Sequence, residues 1–188
     1  MLREASMIET GLVLAAQLAV FQALLLAASA VHKAAAWARS LGVMRQFGGV
    51  PQSLASTALG AVIASEFAAA LLLLMPSYRA AGAILAAGLW SVYLGLILRA
   101  VLQNRRDLEC GCSFGLSSGP ASRPLGAFQL VRNAVLAATA AGIAGVSAVA
   151  GAVPVELSQI LGGVALLALY GALDQVMALQ PLRSGELL

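Results

Sequence analysis

Five long apolar runs constrain this chain more than any other feature. They lie at Gly11–Val31, Ser53–Met75, Ala80–Leu102, Ala127–Ala150 and Leu157–Leu179. A helix of about 20 predominantly apolar residues crosses a bilayer core of roughly 30 Å, and each run is long enough. Hydrophobic residues make up 61% of the chain and charged residues 10%, with a mean hydropathy of +0.92. Since a soluble domain carries about 25% charged residues, a soluble fold is excluded. The expected fold class is all-α: a polytopic membrane helical bundle of four to five transmembrane helices. Residues 1–188 are read as a single integral membrane domain. The competing reading of the first run is a signal peptide, since Ala28-Ser29-Ala30 resembles a cleavage site. Its apolar stretch exceeds the usual length and the residues before it are only weakly basic, which favours a retained helix.

The segments between the runs carry the charge. From His32 to Gln52 the basic residues Lys33, Arg39 and Arg45 accompany Trp37, Leu41 and Met44 at helical spacing. That pattern predicts an amphipathic helix at the membrane interface, closed by Gly48-Gly49 and Pro51. Pro76-Ser77-Tyr78-Arg79 is a tight turn. With five helices, nine of the eleven basic residues collect on one side: Lys33, Arg39, Arg45, Arg99, Arg105, Arg106, Arg123, Arg132 and Arg183. The positive-inside rule then puts the amino terminus outside and the polar segment Gln103–Gly126 at the cytoplasmic face. The net charge of +3 is thus a topology signal rather than a nucleic-acid surface. A single histidine argues against a His-based triad or a multi-His metal site. Small residues at Gly60-xxx-Ala64 and Gly142-xxx-Val146 are candidate points of close helix approach, a weak signal in so alanine-rich a chain.

Segment Gln103–Gly126 contains both cysteines, in Glu109-Cys110-Gly111-Cys112-Ser113-Phe114-Gly115. Bridged cysteines have Cα atoms about 4.4–6.8 Å apart, within reach of a bent Cys-X-Cys. Gly111 relaxes the backbone restrictions on that bend. A ring this small is strained, and strained disulfides are the oxidising, labile ones, so Cys110 and Cys112 read as a redox pair. Two thiolates on a soft copper ion and ordinary packing are the alternatives. Glu109 would raise a neighbouring thiol's pKa, whereas Arg105 and Arg106 would lower it.

Other candidates lie in the helices. Glu66 falls about mid-span, where an unpaired acid costs on the order of 2.5–3.5 kcal/mol, so it should face the bundle interior. Lys33, Arg99 and Arg132 are its possible partners. It is either a neutral, hydrogen-bonded structural acid or a functional group near the dithiol. Arg132 and Asn133 open the fourth span and either cap the cysteine segment or snorkel to the interface. Asp174 reads as a solvated or paired acid, and His32 as an interfacial residue.

These features together resemble a known family. A first span followed by Lys33, an acid inside the second (Glu66), Cys110-Gly111-Cys112 after the third and Arg132-Asn133 at the fourth look like the methylamine utilisation protein MauE family, relatives of DoxX-like membrane proteins. The likeness covers roughly Gly11–Ala150. The family's cysteine motif is Cys-Gly-Cys-Phe-Gly; here Ser113 is inserted, which shifts Phe114 and Gly115 by one place and leaves the dithiol intact. The resemblance implies an accessory role in maturing a periplasmic enzyme, methylamine dehydrogenase, together with a thioredoxin-like MauD partner. Cys110 and Cys112 would exchange electrons with that partner. A periplasmic role and a cytoplasmic cysteine segment are reconciled by electron transfer across the membrane, or by cysteines buried at depth.

The expected function is therefore a thiol–disulfide relay in the bacterial inner membrane, serving an exported client enzyme. No cofactor is evident and quinone coupling is compatible but not required. A non-catalytic scaffold for the maturation machinery and a metal-delivery protein are the alternatives. The client and the direction of electron flow are not legible in the residues.

Overall fold

The computed structural model describes residues 2–47, 50–104, 127–150 and 154–179. The expected all-α membrane bundle is what it shows. Six helices appear in chain order: α1 Leu2–Ala35, α2 Trp37–Phe47, α3 Ala55–Leu74, α4 Arg79–Leu102, α5 Ala127–Ala150 and α6 Leu157–Leu179. Five are long and apolar enough to cross a membrane, α2 being the exception. The chain is thus a membrane protein, and the amphipathic helix expected after the first span is α2. Single 3-10 turns at Gln52–Leu54 and Pro76–Tyr78 precede α3 and α4.

α1 is the central element. It packs against α3, α5 and α6 and touches α4, while α3 packs on α4 and α4 on α5. Membrane helices gain little from the hydrophobic effect against each other, so close approach and hydrogen bonds hold them together. Much of the interior is accordingly alanine: Ala16, Ala19, Ala30, Ala69, Ala83, Ala86 and Ala140 are fully buried. On α4 the buried residues Gly82, Ala83, Ala86, Trp90, Ile97 and Ala100 recur every three or four positions, so one stripe faces inward. Leu71, Ile84, Val92, Val131, Leu161 and Leu169 point outward, onto the lipid side.

The points of closest approach differ from those the small-residue spacing suggested. A Cβ on Gly142 would meet nothing within 4 Å, and one on Gly60 only the Trp37 ring edge at 3.9 Å. Gly82 and Gly163 instead meet backbone or branched side-chain atoms that cannot swing aside. A Cβ on Gly82 would lie 2.6 Å from the Leu73 amide nitrogen, so only glycine allows the tight α3–α4 hairpin. A Cβ on Gly163 would lie 2.6 Å from Val20 Cγ1, where α6 seats against α1.

Arg79, the last residue of the expected turn, opens α4. It is buried, and its Nε donates to the Leu73 carbonyl at 3.2 Å. The guanidinium thereby satisfies one of the carbonyls left open at the end of α3. At the other end of the α3–α4 hairpin, Asn104 adopts φ 56 and closes α4. Left-handed asparagine is a recurrent helix terminator because its short polar side chain tolerates that conformation.

Candidate functional site

A polar network runs through the middle of this apolar bundle. Its first part gathers around Glu66, on the buried face of α3 with Leu59, Ala69 and Leu73. Glu66 is fully buried. Its Oε1 accepts three hydrogen bonds: from Lys33 Nζ at 2.7 Å, Ser29 Oγ at 3.0 Å and Tyr93 Oη at 2.6 Å. Lys33 also donates to Ser29 Oγ, and its ammonium lies 5.2 Å from the centroid of the Tyr93 ring. Three helices, α1, α3 and α4, thus meet on one carboxylate oxygen.

The oxygen that accepts from all three donors carries no proton of its own. Lys33 and Glu66 lie at ion-pair distance, 2.7 Å, with both side chains almost wholly buried. Glu66 Oε2 is different: it is buried and accepts from no donor among the described residues. Of the three partners the sequence suggested for Glu66, the fold selects Lys33. Glu66 is hydrogen-bonded inside the bundle, as the structural reading of it expected, and its bonding partners include Lys33.

The second part centres on Gln22 of α1, which is also fully buried. Trp90 Nε1 donates to Gln22 Oε1 at 2.8 Å, while Gln22 Nε2 donates to Thr139 Oγ1 at 2.8 Å and to the Leu136 carbonyl at 3.0 Å. Gln22 thus ties α1 to α4 and α5. The two parts join through α4, where the Trp90 and Tyr93 rings meet edge to face at 5.8 Å. Polar side chains in lipid gain from bonding across helices because no water is there to replace the partner.

Gln22, Ser29, Trp90, Tyr93 and Thr139 were not among the residues the sequence singled out as site candidates. A signal for them existed. Gln22, Ser29 and Lys33 are seven and four residues apart, which puts all three on one face of a helix that is otherwise apolar. Trp90 and Tyr93 share a face in the same way.

Arg132 and Asn133 lie in the second turn of α5, and the cysteine segment they were read to cap lies outside the described residues. Arg132 Nη1 pairs with Asp174 Oδ1 of α6 at 3.2 Å, both side chains largely buried. Interface snorkelling is thereby overturned for Arg132, and of the two readings of Asp174 the paired one holds. Asn133 is fully buried; its Nδ2 donates to the Gln129 carbonyl at 2.8 Å, and its Oδ1 has no hydrogen-bond partner among the described residues. His32 is exposed near the end of α1, consistent with an interfacial position. Cys110, Cys112 and Glu109, with Arg105 and Arg106, lie outside the described residues. Among the described residues no group of three or more His, Cys, Asp or Glu side chains could hold a metal ion.

Five membrane-length helices, of which α1, α3, α4 and α5 share a largely internal polar network, define a polytopic membrane protein with a polar, charged interior. Comparison with known proteins gives the family. Residues 11–147 match the methylamine utilisation protein MauE family. The chain is also 31% identical over 153 residues to the methylamine utilization protein MauE of Methylophilus methylotrophus, covering 81% of this chain and 75% of that one. No solved structure matches it significantly. The chain belongs to the MauE family.

Proposed function

We propose that this protein acts in methylamine utilisation as a membrane thiol–disulfide exchange factor. It would serve the maturation of an exported, methylamine dehydrogenase-like enzyme from the bacterial inner membrane. The observation that carries the reading is the Cys110-Gly111-Cys112 pair within a family named for methylamine utilisation. The fold supports it by position, since the segment bearing the pair joins α4 to α5, adjacent helices of the bundle.

The step is an exchange that needs no further oxidant. One thiol of the pair ionises and its sulfur attacks a sulfur of the partner's disulfide. The partner's S–S bond breaks, and its departing thiolate takes up a proton. The second cysteine then gives up its proton and attacks the mixed disulfide; that S–S bond breaks, and the partner's second sulfur leaves as a thiolate and takes up a proton, so Cys110–Cys112 ends oxidised and the partner reduced by two electrons. The reverse sequence runs the other way.

Thiol trapping in intact cells tests this reading. Acid quench and alkylation should find a mixture of oxidised and reduced Cys110–Cys112, and removal of a thioredoxin-like partner should shift the ratio. Cysteines that stay reduced whatever partner is present would sink the relay. Client assembly that survives the Cys110→Ser, Cys112→Ser double substitution would leave the scaffold instead.

A further inference from the structure

Glu66 carries one saturated oxygen and one bare one, and that asymmetry is not what a purely structural ion pair needs. A buried carboxylate placed only to neutralise Lys33 is most stable when its donors spread over both oxygens, because a buried acceptor without a donor keeps its full desolvation cost. Here Lys33, Ser29 and Tyr93 all converge on Oε1, and Oε2 is enclosed with nothing donating to it. In the ionised state Oε2 holds lone pairs that no neighbour satisfies. A proton placed there would leave every existing bond to Oε1 in position.

The surroundings suit a proton that comes and goes. Lys33 Nζ, Ser29 Oγ, Tyr93 Oη and Glu66 Oε1 form an unbroken set of hydrogen bonds among groups that can each give up or accept a proton. The Lys33 side chain is 10% exposed whereas that of Glu66 is 0%, so Lys33 is the more accessible of the ion-paired side chains. It lies in the last turn of α1. Other charged groups on the elements around α3 stand away from the carboxylate. His32, Arg39, Arg45 and Arg99 are exposed, and Tyr78 is exposed in the α3–α4 turn. Arg79 is bound at the Leu73 carbonyl near the end of α3. Among the described residues, only Lys33 and Tyr93 are charged or titratable groups bonded to Glu66.

We propose that the Lys33–Glu66–Ser29–Tyr93 cluster is a proton-exchange site inside the membrane, with Glu66 Oε2 the position that takes up and releases the proton. The tie to thiol chemistry rests on the function proposed above. During exchange one proton is off sulfur from the ionisation of the attacking thiol until the leaving thiolate is protonated. The cluster holds that proton within the protein for the interval and returns it, so atoms and charge balance over the cycle. Glu66 and Lys33 act on the cysteines through this proton.

Infrared difference spectroscopy on the purified full-length protein in lipid vesicles tests the proposal directly. Lowering the pH over the range in which the protein stays folded should produce a C=O stretching band of a protonated carboxyl. The band should be lost in Glu66→Gln. It should shift in Tyr93→Phe, which removes one bond to Oε1 and keeps the charges, so it reports on Glu66 even where Glu66→Gln fails to fold. The absence of any Glu66-dependent band across that range would overturn the proposal, because a static ion pair stays ionised throughout. The same pH response is expected in the Cys110→Ser, Cys112→Ser variant. A wrong thiol-exchange reading would therefore leave the band in place and show itself in the trapping experiment alone.

Discussion

At the scale of single residues, the Lys33–Glu66 pair combines a large local cost with a large local dependence. Either charge alone in the bundle interior is strongly unfavourable, so Glu66→Ala should destabilise the protein by about 3–5 kcal/mol by leaving Lys33 buried and unpaired. Replacing both partners with methionine should cost far less, since buried ion pairs exchanged for apolar residues of similar volume are often neutral or stabilising. Unfolding of the three proteins in mixed detergent micelles measures this. A double variant as unstable as the single one would mean the pair itself holds the fold together. A double variant that folds yet fails to support client assembly would show that the charges are kept for function. Gln22 is the corresponding test in the second part of the network. Gln22→Leu removes the acceptor of Trp90 Nε1 and one donor to Thr139, and should cost about 1–3 kcal/mol through buried groups left unpaired. In a Trp37→Phe background, Trp90 fluorescence then reports the lost indole bond; an unchanged spectrum would contradict the geometry.

At the scale of helices, contact is decided by which glycine meets what. Gly163→Ala puts a Cβ 2.6 Å from Val20 Cγ1 and 3.0 Å from the Phe21 amide nitrogen, so α6 must move off α1. Overpacking of this kind costs about 1–3 kcal/mol. At neighbouring Gly162 a Cβ would meet only atoms of the flexible Gln17 side chain, which can swing aside, and at Gly142 it would meet nothing. The expected order of destabilisation in thermal melts is Gly163→Ala above Gly162→Ala, with Gly142→Ala near zero. Equal effects at Gly163 and Gly142 would refute the seating of α6. The Arg132–Asp174 bridge gives α6 a second attachment, to α5. Asp174→Asn should therefore loosen α6 further when combined with Gly163→Ala than the two single effects add up to, since both act on the docking of one helix.

At the scale of the whole molecule, the ion pairs alter how the topology signal is read. Lys33 and Arg132 both counted toward the basic side of the membrane, yet each is neutralised by an acid inside the bundle. The asymmetry survives without them, because Arg39, Arg45, Arg99, Arg105, Arg106, Arg123 and Arg183 remain on that side, against Arg3 and the buried Arg79. A membrane-impermeant maleimide should therefore label Cys110 or Cys112 in inverted vesicles and not in intact spheroplasts. The opposite pattern would place the cysteine segment outside and invert the orientation.

How much was legible before the fold was known follows from the physics of each feature. Five helices and their approximate limits could be read directly, since lipid forces backbone hydrogen bonds to close within each segment and length then counts spans. The inward placement of Glu66 followed from the cost of an acid in lipid. Its partner did not, because Lys33, Arg99 and Arg132 all lay within plausible reach along the chain, and only the packing of α1 on α3 chose between them. Gln22, Ser29, Tyr93 and Trp90 carry no charge and cost little individually, so their sequence signal was a shared helix face rather than an alarm. The glycines were illegible for a related reason: spacing marks where helices can approach, whereas the rotation of each helix about its axis determines where they do. The sequence by itself determined the membrane class, the number of spans and the presence of a dithiol between the third and fourth. Tertiary structure alone decided which polar groups meet, because hydrogen bonds and ion pairs between helices act over about 3 Å and depend on the relative rotation of whole helices.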